Sequence, residues 1–575
     1  MKKITLILLS IFLLNIISVK AQLNNEDALI ASTFIGGNNV SNIYAMAIDN
    51  NGDIIVVGFT ESTDFPTTPG VVSPTLNDEV DDWGDIFISK FNSDLTELKA
   101  STYLGGTKSE YARAIIIDDD NNIYITGHTK STDFPITTGA YDETANGDYD
   151  AFVVKINSDL TNIIASTYFG GNYVEQAGDI KILSDGNIII AGYTTGANVP
   201  TTENAYNMTY NGGYSDSFIS VFSNNLETLH ASTYLGGSKS ENFESLAIDS
   251  DGDIIVTGYT VSQNFPTTTG VIQEAKIHDT DYEGFICSFS SDLETLQAST
   301  FLGTEDGEQI TSVVIDNDNN IIVLGRTESD IFPTTTGVYD ETHNGNDDVF
   351  ITKIDNDLTS IIASTYFGGA DYFEYPEKIN IDNEGNFVIA GQTGSTDFPT
   401  TPNAYDDSFN FGYGDLFVSK FSSDLTDLLL STYVGGNAQE GCEALCTDIN
   451  GEIIISGYTG SNEFPVTPGA FNTTYASNVC YVTKLKGNPS APTSTNTEPN
   501  YELKIYPNPS SGVFKIENKL NESMQITVLS ISGCDLLKTN ATSSKTIDLS
   551  SYNSGVYFIK TNINNINYYN KIIIN

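Results

Sequence analysis

Residues 100–110 read ASTYLGGTKSE, residues 165–175 read ASTYFGGNYVE and residues 231–241 read ASTYLGGSKSE. Aligned on this motif, copies begin at Ala31, Ala100, Ala165, Ala231, Ala298, Ala363 and Leu430, spaced 69, 65, 66, 67, 65 and 67 residues apart. Between two motifs the pattern is constant. In the second copy, ARAIIIDDDNN is a strand ending in an Asp/Asn turn, and IYITGHT pairs back onto it. DFPITTGAYDETANGDYD is a turn-rich loop, AFVVKINSDL a third strand, and IIASTYFGG a fourth that opens the next copy. Four short strands bounded by Gly, Asn, Asp and Pro, with no helical period, describe one four-stranded antiparallel sheet. Such a sheet is apolar on both faces and cannot bury them alone; stacking the copies radially and closing the circle gives every sheet two neighbours. The expectation is an all-β, seven-bladed β-propeller. The array opens on DALIASTFIGG, a fourth strand without its first three, and ends on ALCTDINGEIIISGYTG and CYVTKLKG, three strands without a fourth. Leu29 to Gly36 is therefore expected to complete the last blade in a 3+1 closure. The paired glycines of the motif give the backbone freedom for a tight exit.

Acidic residues number 75 against 25 Lys and Arg, for a net charge of −50. That field repels phosphate backbones, so no nucleic acid is expected as a partner. MKKITLILLSIFLLNIISVKAQ has a basic start, a short apolar run and small residues at its end, and reads as a signal peptide over residues 1–21. No later segment is apolar enough to span a bilayer as a helix. Cys287, Cys442, Cys446, Cys480 and Cys534 form no disulfide framework and read as small buried hydrophobes.

The repeat, from ASTYLGG through the IYITGHT strand and DFPITTGAYD to AFVVKINSDL, resembles the bacterial secreted beta-propeller repeat, SBBP, over about residues 29–486. The resemblance implies a seven-bladed propeller on an extracellular protein and no single activity. Residues 488–500, NPSAPTSTNTEPN, read as a linker between the propeller (22–487) and a tail (501–575). The tail alternates apolar and polar residues between turn signals, as a small β-sandwich does. It resembles the C-terminal sorting domain of type IX secretion substrates in the Bacteroidetes: Tyr506, Pro507, Asn508, Pro509 and Gly512, then Gly533, then Leu549, Gly555, Val556 and Tyr557, then Lys571. Ser532 stands where that family usually has Asp or Asn. The resemblance implies handling by the type IX machinery, passage through the outer membrane, and removal of the tail with release or surface attachment.

No catalytic constellation is visible. His128, His230, His278 and His343 fall at different places in the repeat, and GGTKSE lacks the glycine that precedes the lysine of a phosphate loop. Glu110, Glu175, Glu241, Glu308, Glu374 and Glu440 open the first strands, and Asp85, Asp150, Asp216, Glu283, Asp348 and Asp415 precede the third. Propeller topology puts both sets on one face, which is expected to be strongly acidic. The Glu set is a candidate for Ca2+ or other cations; the other reading is that each carboxylate fixes its own crossing loop. Asp49, Asp118, Asp249, Asp316, Asp382 and Asp448 open the hairpin on the other face and read as turn residues. Aromatics repeated in every copy read as packing. The candidate ligand contacts are aromatics that break the repeat on the long-loop face: Trp83, Tyr210, Tyr214, Phe409, Phe411 and Tyr413. Together these features predict an exported, non-catalytic propeller binding a glycan, a matrix polymer or a surface protein, with no obligatory cofactor. The rivals are a carbohydrate-active lyase or hydrolase using carboxylates of that face, and a purely structural surface protein.

Overall fold

A computed structural model describes residues 25–77, 84–278, 281–410, 412, 414–476, 479–489, 503–507, 510–518, 523–529, 535–552, 554–563 and 566–574. The expected signal peptide and most of the expected linker lie outside them. Among the described residues there is no α-helix, only a 3-10 turn at Glu26–Ala28 and antiparallel strands. The chain divides into two compact units, Met1–Pro492 and Thr493–Asn575.

In the first unit Glu110–Ile117, Ile123–Thr129, Asp150–Ile156 and Ile163–Phe169 hydrogen-bond in that order. The sheets that begin at Ser41, Glu175, Glu241, Glu308 and Glu374 repeat it. The sheet that begins at Glu440 runs through Ile453–Thr459 and Val479–Leu485 to Leu29–Ile35. The motif's side chains tie each fourth strand to the loop before its third. Ser101 Oγ donates to Pro66 O (2.6 Å), Thr102 Oγ1 to Ser73 O (3.0 Å) and the Tyr103 hydroxyl to Ser62 O (2.6 Å). The amides of Thr107 and Lys108 then donate to Asp133 Oδ1 (2.9 Å) and Ser131 Oγ (2.7 Å) of the next sheet, so these two N–H groups are taken up within the fold and not turned toward a phosphate.

Apolar residues from adjacent sheets fuse into shared cores. Val57, Ile88 and Leu104 pack on Ile125, Val154 and Tyr168, and Ile35, Ile454 and Val482 pack on Ile43, Val56 and Phe91, all at most 1% exposed. Each such side chain contributes about 1.5–3 kcal/mol by burial. A second tie runs through the backbone. The amide of Val72 donates to Leu160 O in the following sheet (2.9 Å), Tyr141 to Leu226 (2.9 Å), and Phe471 of the Glu440 sheet to Leu95 of the Ser41 sheet (2.9 Å). The accepting leucines sit at φ of +56 to +57°, and Leu95, Leu160 and Leu226 are fully buried. That backbone costs a non-glycine residue about 1–2 kcal/mol, whereas truncating a buried leucine costs about 3–5 kcal/mol, so burial wins. Leu160→Gly, which releases the strain, is therefore expected to be less destabilising than Leu160→Ala, the reverse of the usual order; urea unfolding of the two variants checks it.

Five hairpins carry a buried or half-buried ion pair: Lys90–Asp49 (2.7 Å), Lys155–Asp118 (3.2 Å), Lys353–Asp316 (2.8 Å), Lys420–Asp382 (3.3 Å) and Lys484–Asp448 (2.7 Å). Asp49 Oδ1 also accepts the amides of Asn51 (2.8 Å) and Asp53 (2.9 Å), as a turn-forming Asp does. Cys287, Cys442 and Cys480 are buried, Cys446 partly so, and all four are free; Cys534 lies outside the described residues.

The second unit has two sheets, Leu503–Tyr506, Val513–Asn518 and Ser544–Asp548 in one, and Asp535–Ala541, Met524–Leu529, Gly555–Ile563 and Ile566–Ile574 in the other. Phe514 and Ile516 of the first share a core with Met524, Ile526, Ile559 and Ile572 of the second. Gly512 turns at φ +103° against the Ser550 backbone, where a Cβ would collide. Tyr557 is buried, Pro507 and Gly555 are exposed, and Lys571 pairs with Phe558 across the last two strands. Asn508, Pro509 and Gly533 lie outside the described residues.

Candidate ligand-binding channel

The acidic face expected from the sequence is not at the surface. Glu110, Glu175, Glu241, Glu308, Glu374 and Glu440 are fully buried, as are Asp85, Asp150, Asp216, Glu283, Asp348 and Asp415. The fold turns each pair inward because the crossing strand carries Glu110 over the end of the neighbouring third strand, where it meets Asp85 beside Gly105. Gly170, Gly236, Gly303, Gly368 and Gly435 mark the equivalent meetings. Where Leu29–Ile35 crosses to the strand starting at Ser41, Gly36 meets Val479, and Ser41 stands in place of the glutamate. The carboxylates also fix loops: Glu374 Oε1 accepts the Thr393 hydroxyl (3.0 Å), and Asp348 Oδ2 the amide of Asn344 (2.8 Å). Burial first, then the facing Asp348, pushes Glu374 up to about 8, and burial with Asp415 does the same for Glu440. Among the described residues no group of three or more His, Cys, Asp or Glu is placed to hold a metal.

The loop aromatics divide. Phe409 packs edge-on to Tyr433 and Tyr210 edge-on to Tyr234, both partly buried. Tyr214 is 73% exposed and close enough to Tyr193 to raise its hydroxyl's pKa, after burial and against Arg113. Trp83, Phe411 and Tyr413 lie outside the described residues. Tyr149 and Tyr282, in the same short run before the third strand, stand against His128 (5.4 Å) and Tyr259 (4.9 Å).

These contacts lead to a channel that the sequence reading missed. Every first strand holds one extra residue: Ala112 pairs with Gly127 and Ala114 with Thr126, leaving Arg113 outside the ladder. The extra residues of the other strands are Tyr44, Gly178, Glu244, Thr311, Glu377 and Glu443. Tyr44, Arg113, Gly178, Glu244 and Glu443, with Lys378, line a cavity of about 330 Å³ that continues into one of about 250 Å³. The available signal was a position varying among Tyr, Arg, Gly, Glu and Thr just after one that stays small or apolar in every copy. Above this throat the second residues of four first strands pair with aromatic or cationic partners, Tyr111 with His128, Gln176 with Tyr193, Asn242 with Tyr259 and Gln309 with Arg326, while Tyr375 pairs with Gln392. Tyr111 stacks on His128 at 5.0 Å, and the Arg326 guanidinium lies 4.5 Å over the Tyr375 ring. Burial and Arg113 hold the buried His128 imidazole neutral, with its pKa well below 6.5. Tyr282 and Tyr375 are 44% and 37% exposed. Below the throat, Ile116, Ile182, Ile248, Ile315 and Ile381 line an apolar opening of about 360 Å³.

Burial pushes Glu244 up to about 7, with Lys378 and Arg113 opposing. Burial and then Glu443 push Glu377 up to about 8. The channel thus offers stacking faces at its mouth and ionic groups of both signs in its throat.

A family model described as a beta-propeller repeat matches residues 101–135, and one described as a secretion system C-terminal sorting domain matches residues 504–575. The chain carries an SBBP propeller repeat and a type IX sorting domain. The sorting domain makes it an exported protein, secreted or at the cell surface, and implies handling by the secretion machinery. Among the described residues no helix is long and apolar enough to cross a membrane. None of the curated proteins matches. Solved structures similar to the propeller-repeat chain include a protein of unknown function from Dyadobacter fermentans (12% identity, 80% of this chain and 98% of that one, TM-score 0.37). Others are a polysaccharide lyase bound to a GlcA–Rha3S ligand, an ulvan lyase (11%, 81% and 96%, 0.40), and a gluconolactonase from Xanthomonas campestris (9%, 64% and 90%, 0.27). At scores below 0.5 none of these likenesses bears on what this chain does.

Proposed function

We propose that the chain is an exported binding protein whose propeller presents an aromatic-rimmed channel to an extracellular glycan. In this reading residues 1–21 are removed on export, residues 22–487 form seven blades, 488–500 are a linker, and 501–575 are cleaved after crossing the outer membrane. The pairing of Leu29–Ile35 with Val479–Leu485, and the Phe471–Leu95 tie between the sheets starting at Glu440 and Ser41, support a ring closed 3+1. The carrying observation for function is the crown of solvent-facing tyrosines, Tyr214, Tyr282 and Tyr375, around a throat of charged residues. Aromatic faces stack on sugar rings with little loss of side-chain freedom, and the throat supplies polar groups that fix orientation.

Hydrolysis is the weaker reading. It needs two carboxyls whose environments push their pKa values apart, whereas Glu244, Glu377 and Glu443 are all pushed upward. On a glycan array, Tyr214→Ala with Tyr282→Ala is expected to weaken the best hit at least about ten-fold, or roughly 1.4 kcal/mol. Repeating the array in chelator asks whether Glu110 and its equivalents hold Ca2+. No hits in either buffer would sink glycan binding.

A further inference from the structure

The throat is unusual for its unneutralised charge. Carboxylates outnumber cations by 75 to 25 in this chain, and Lys90, Lys155, Lys353, Lys420 and Lys484 are each held by an aspartate. Yet Arg113 and Lys378, which share one cavity with Glu244 and Glu443, have no carboxylate within 4.0 Å among the described residues. Arg113 is exposed to the channel, and Tyr44 backs its guanidinium at 4.8 Å. Its neighbour around the wall is Gly178, with no side chain, and beyond that is Glu244. Side chains able to neutralise one another are thus held apart around an open space.

We propose that this throat binds a zwitterionic group, an α-amino carboxylate, with its carboxylate on Arg113 and its ammonium on Glu244. The proposal rests on the reading of the channel as the binding site and names what enters its depth. A simple anion drawn to Arg113 and Lys378 would meet Glu244 and Glu443, and a simple cation drawn to those glutamates would meet the guanidinium and the ammonium. Only a group carrying both charges satisfies both sets, each pair gaining a charge-assisted hydrogen bond in a partly desolvated site. The raised pKa values of Glu244 and Glu377 fit, because an entering ammonium restores the ionised form. The cavity of about 330 Å³ admits an amino acid, and the tyrosine mouth leaves room for a chain behind it.

The test is calorimetric titration of the full chain at pH 7 and low salt with L-alanine, acetate, methylammonium and glucose. Saturable alanine binding, at least ten-fold tighter than acetate or methylammonium, is expected. Arg113→Met and Glu244→Gln should each weaken it ten-fold or more, Arg113→Lys less, with circular dichroism unchanged. Nε-acetyl-lysine carries the same head group on a tail: tighter binding than alanine assigns a chain-borne ligand, equal binding a free amino acid. No saturation by alanine, equal binding of the singly charged probes, or indifference to both substitutions overturns the proposal. If Tyr214→Ala abolishes glycan capture while alanine fails to saturate the unmodified chain, the mouth reading survives and the throat inference fails.

Discussion

Brought from pH 5 to pH 8.5, the protein is expected to lose on the order of 5 kcal/mol of stability, with its melting temperature lower by roughly 5–10 °C. The cause is the buried carboxyl pairs. Glu374, facing Asp348, and Glu440, facing Asp415, are pushed from 4.5 up to about 8, chiefly by burial and then by the facing carboxylate. Below about pH 4.5 folded and unfolded chains both hold these protons. Between there and pH 8 the unfolded chain releases them while the folded chain keeps them, so stability falls as pH rises. Asp49, Asp118, Asp316, Asp382 and Asp448 act in the opposite sense. Burial works against their charge, but lysines, amides and side-chain amides outweigh it and hold their pKa values below 3.8. Their contribution is lost as pH falls through that range, which puts the optimum near pH 4–5. Thermal melts across pH 3 to 9 check the window. Glu374→Gln keeps the acceptor for Thr393 and removes one ionisation, so it should be stabilising at pH 8.5 and near neutral at pH 5. A melt that is flat from pH 5 to 8.5 would falsify the account.

Gly127→Ala is expected to cost about 3 kcal/mol or more and to empty the throat of function without touching a throat residue. The extra residue in Glu110–Ile117 lifts the strand so that Tyr111 O sits over Gly127, and an alanine Cβ there would lie far closer than 3.0 Å to that oxygen. Gly58, Gly192, Gly258, Gly325, Gly391 and Gly457 meet the carbonyls of Asn42, Gln176, Asn242, Gln309, Tyr375 and Gly441 in the same way. The backbone cannot yield without flattening the bulge, which would swing Arg113 off the channel wall. Urea unfolding measures the stability loss. Alanine titration at 10 °C, where the variant remains folded, should show binding weakened as far as in Arg113→Met; unaltered binding would mean that the bulge does not set the side chain's position.

The strands and the sheet each copy builds were legible because every turn is marked by Asp, Asn or Gly and every strand by β-branched and aromatic residues. The tail was legible for the same reason. Two things were not. Strict alternation says which residues share a face, but one inserted residue reverses the phase, so alternation alone does not bring Arg113 and Glu244 to a common wall. Nor does sequence tell whether a carboxylate at a strand end points to water or to its neighbour. Glu110 and Asp85 stand 25 positions apart, and only the crossing of one sheet over the next brings them together. Tyr214 was found because it interrupts the repeat on a loop; Tyr282 and Tyr375 were passed over because nothing in their local sequence distinguishes them from packing aromatics.

The bulge also separates two tasks usually entangled in one side chain. A residue in the ladder is bound to its cross-strand partner and to the core beneath it, so changing it disturbs both. Tyr44, Arg113, Gly178, Glu244, Thr311, Glu377 and Glu443 stand outside that register, with only light ties to the next strand: Tyr44 stacks on Phe59 and Thr311 donates to Leu324 O. They are exchangeable fittings on a fixed frame. A new specificity is expected from rewriting those residues alone, with every strand pairing and turn left as it stands and only contacts among the residues themselves, such as Arg113 on Tyr44, remade.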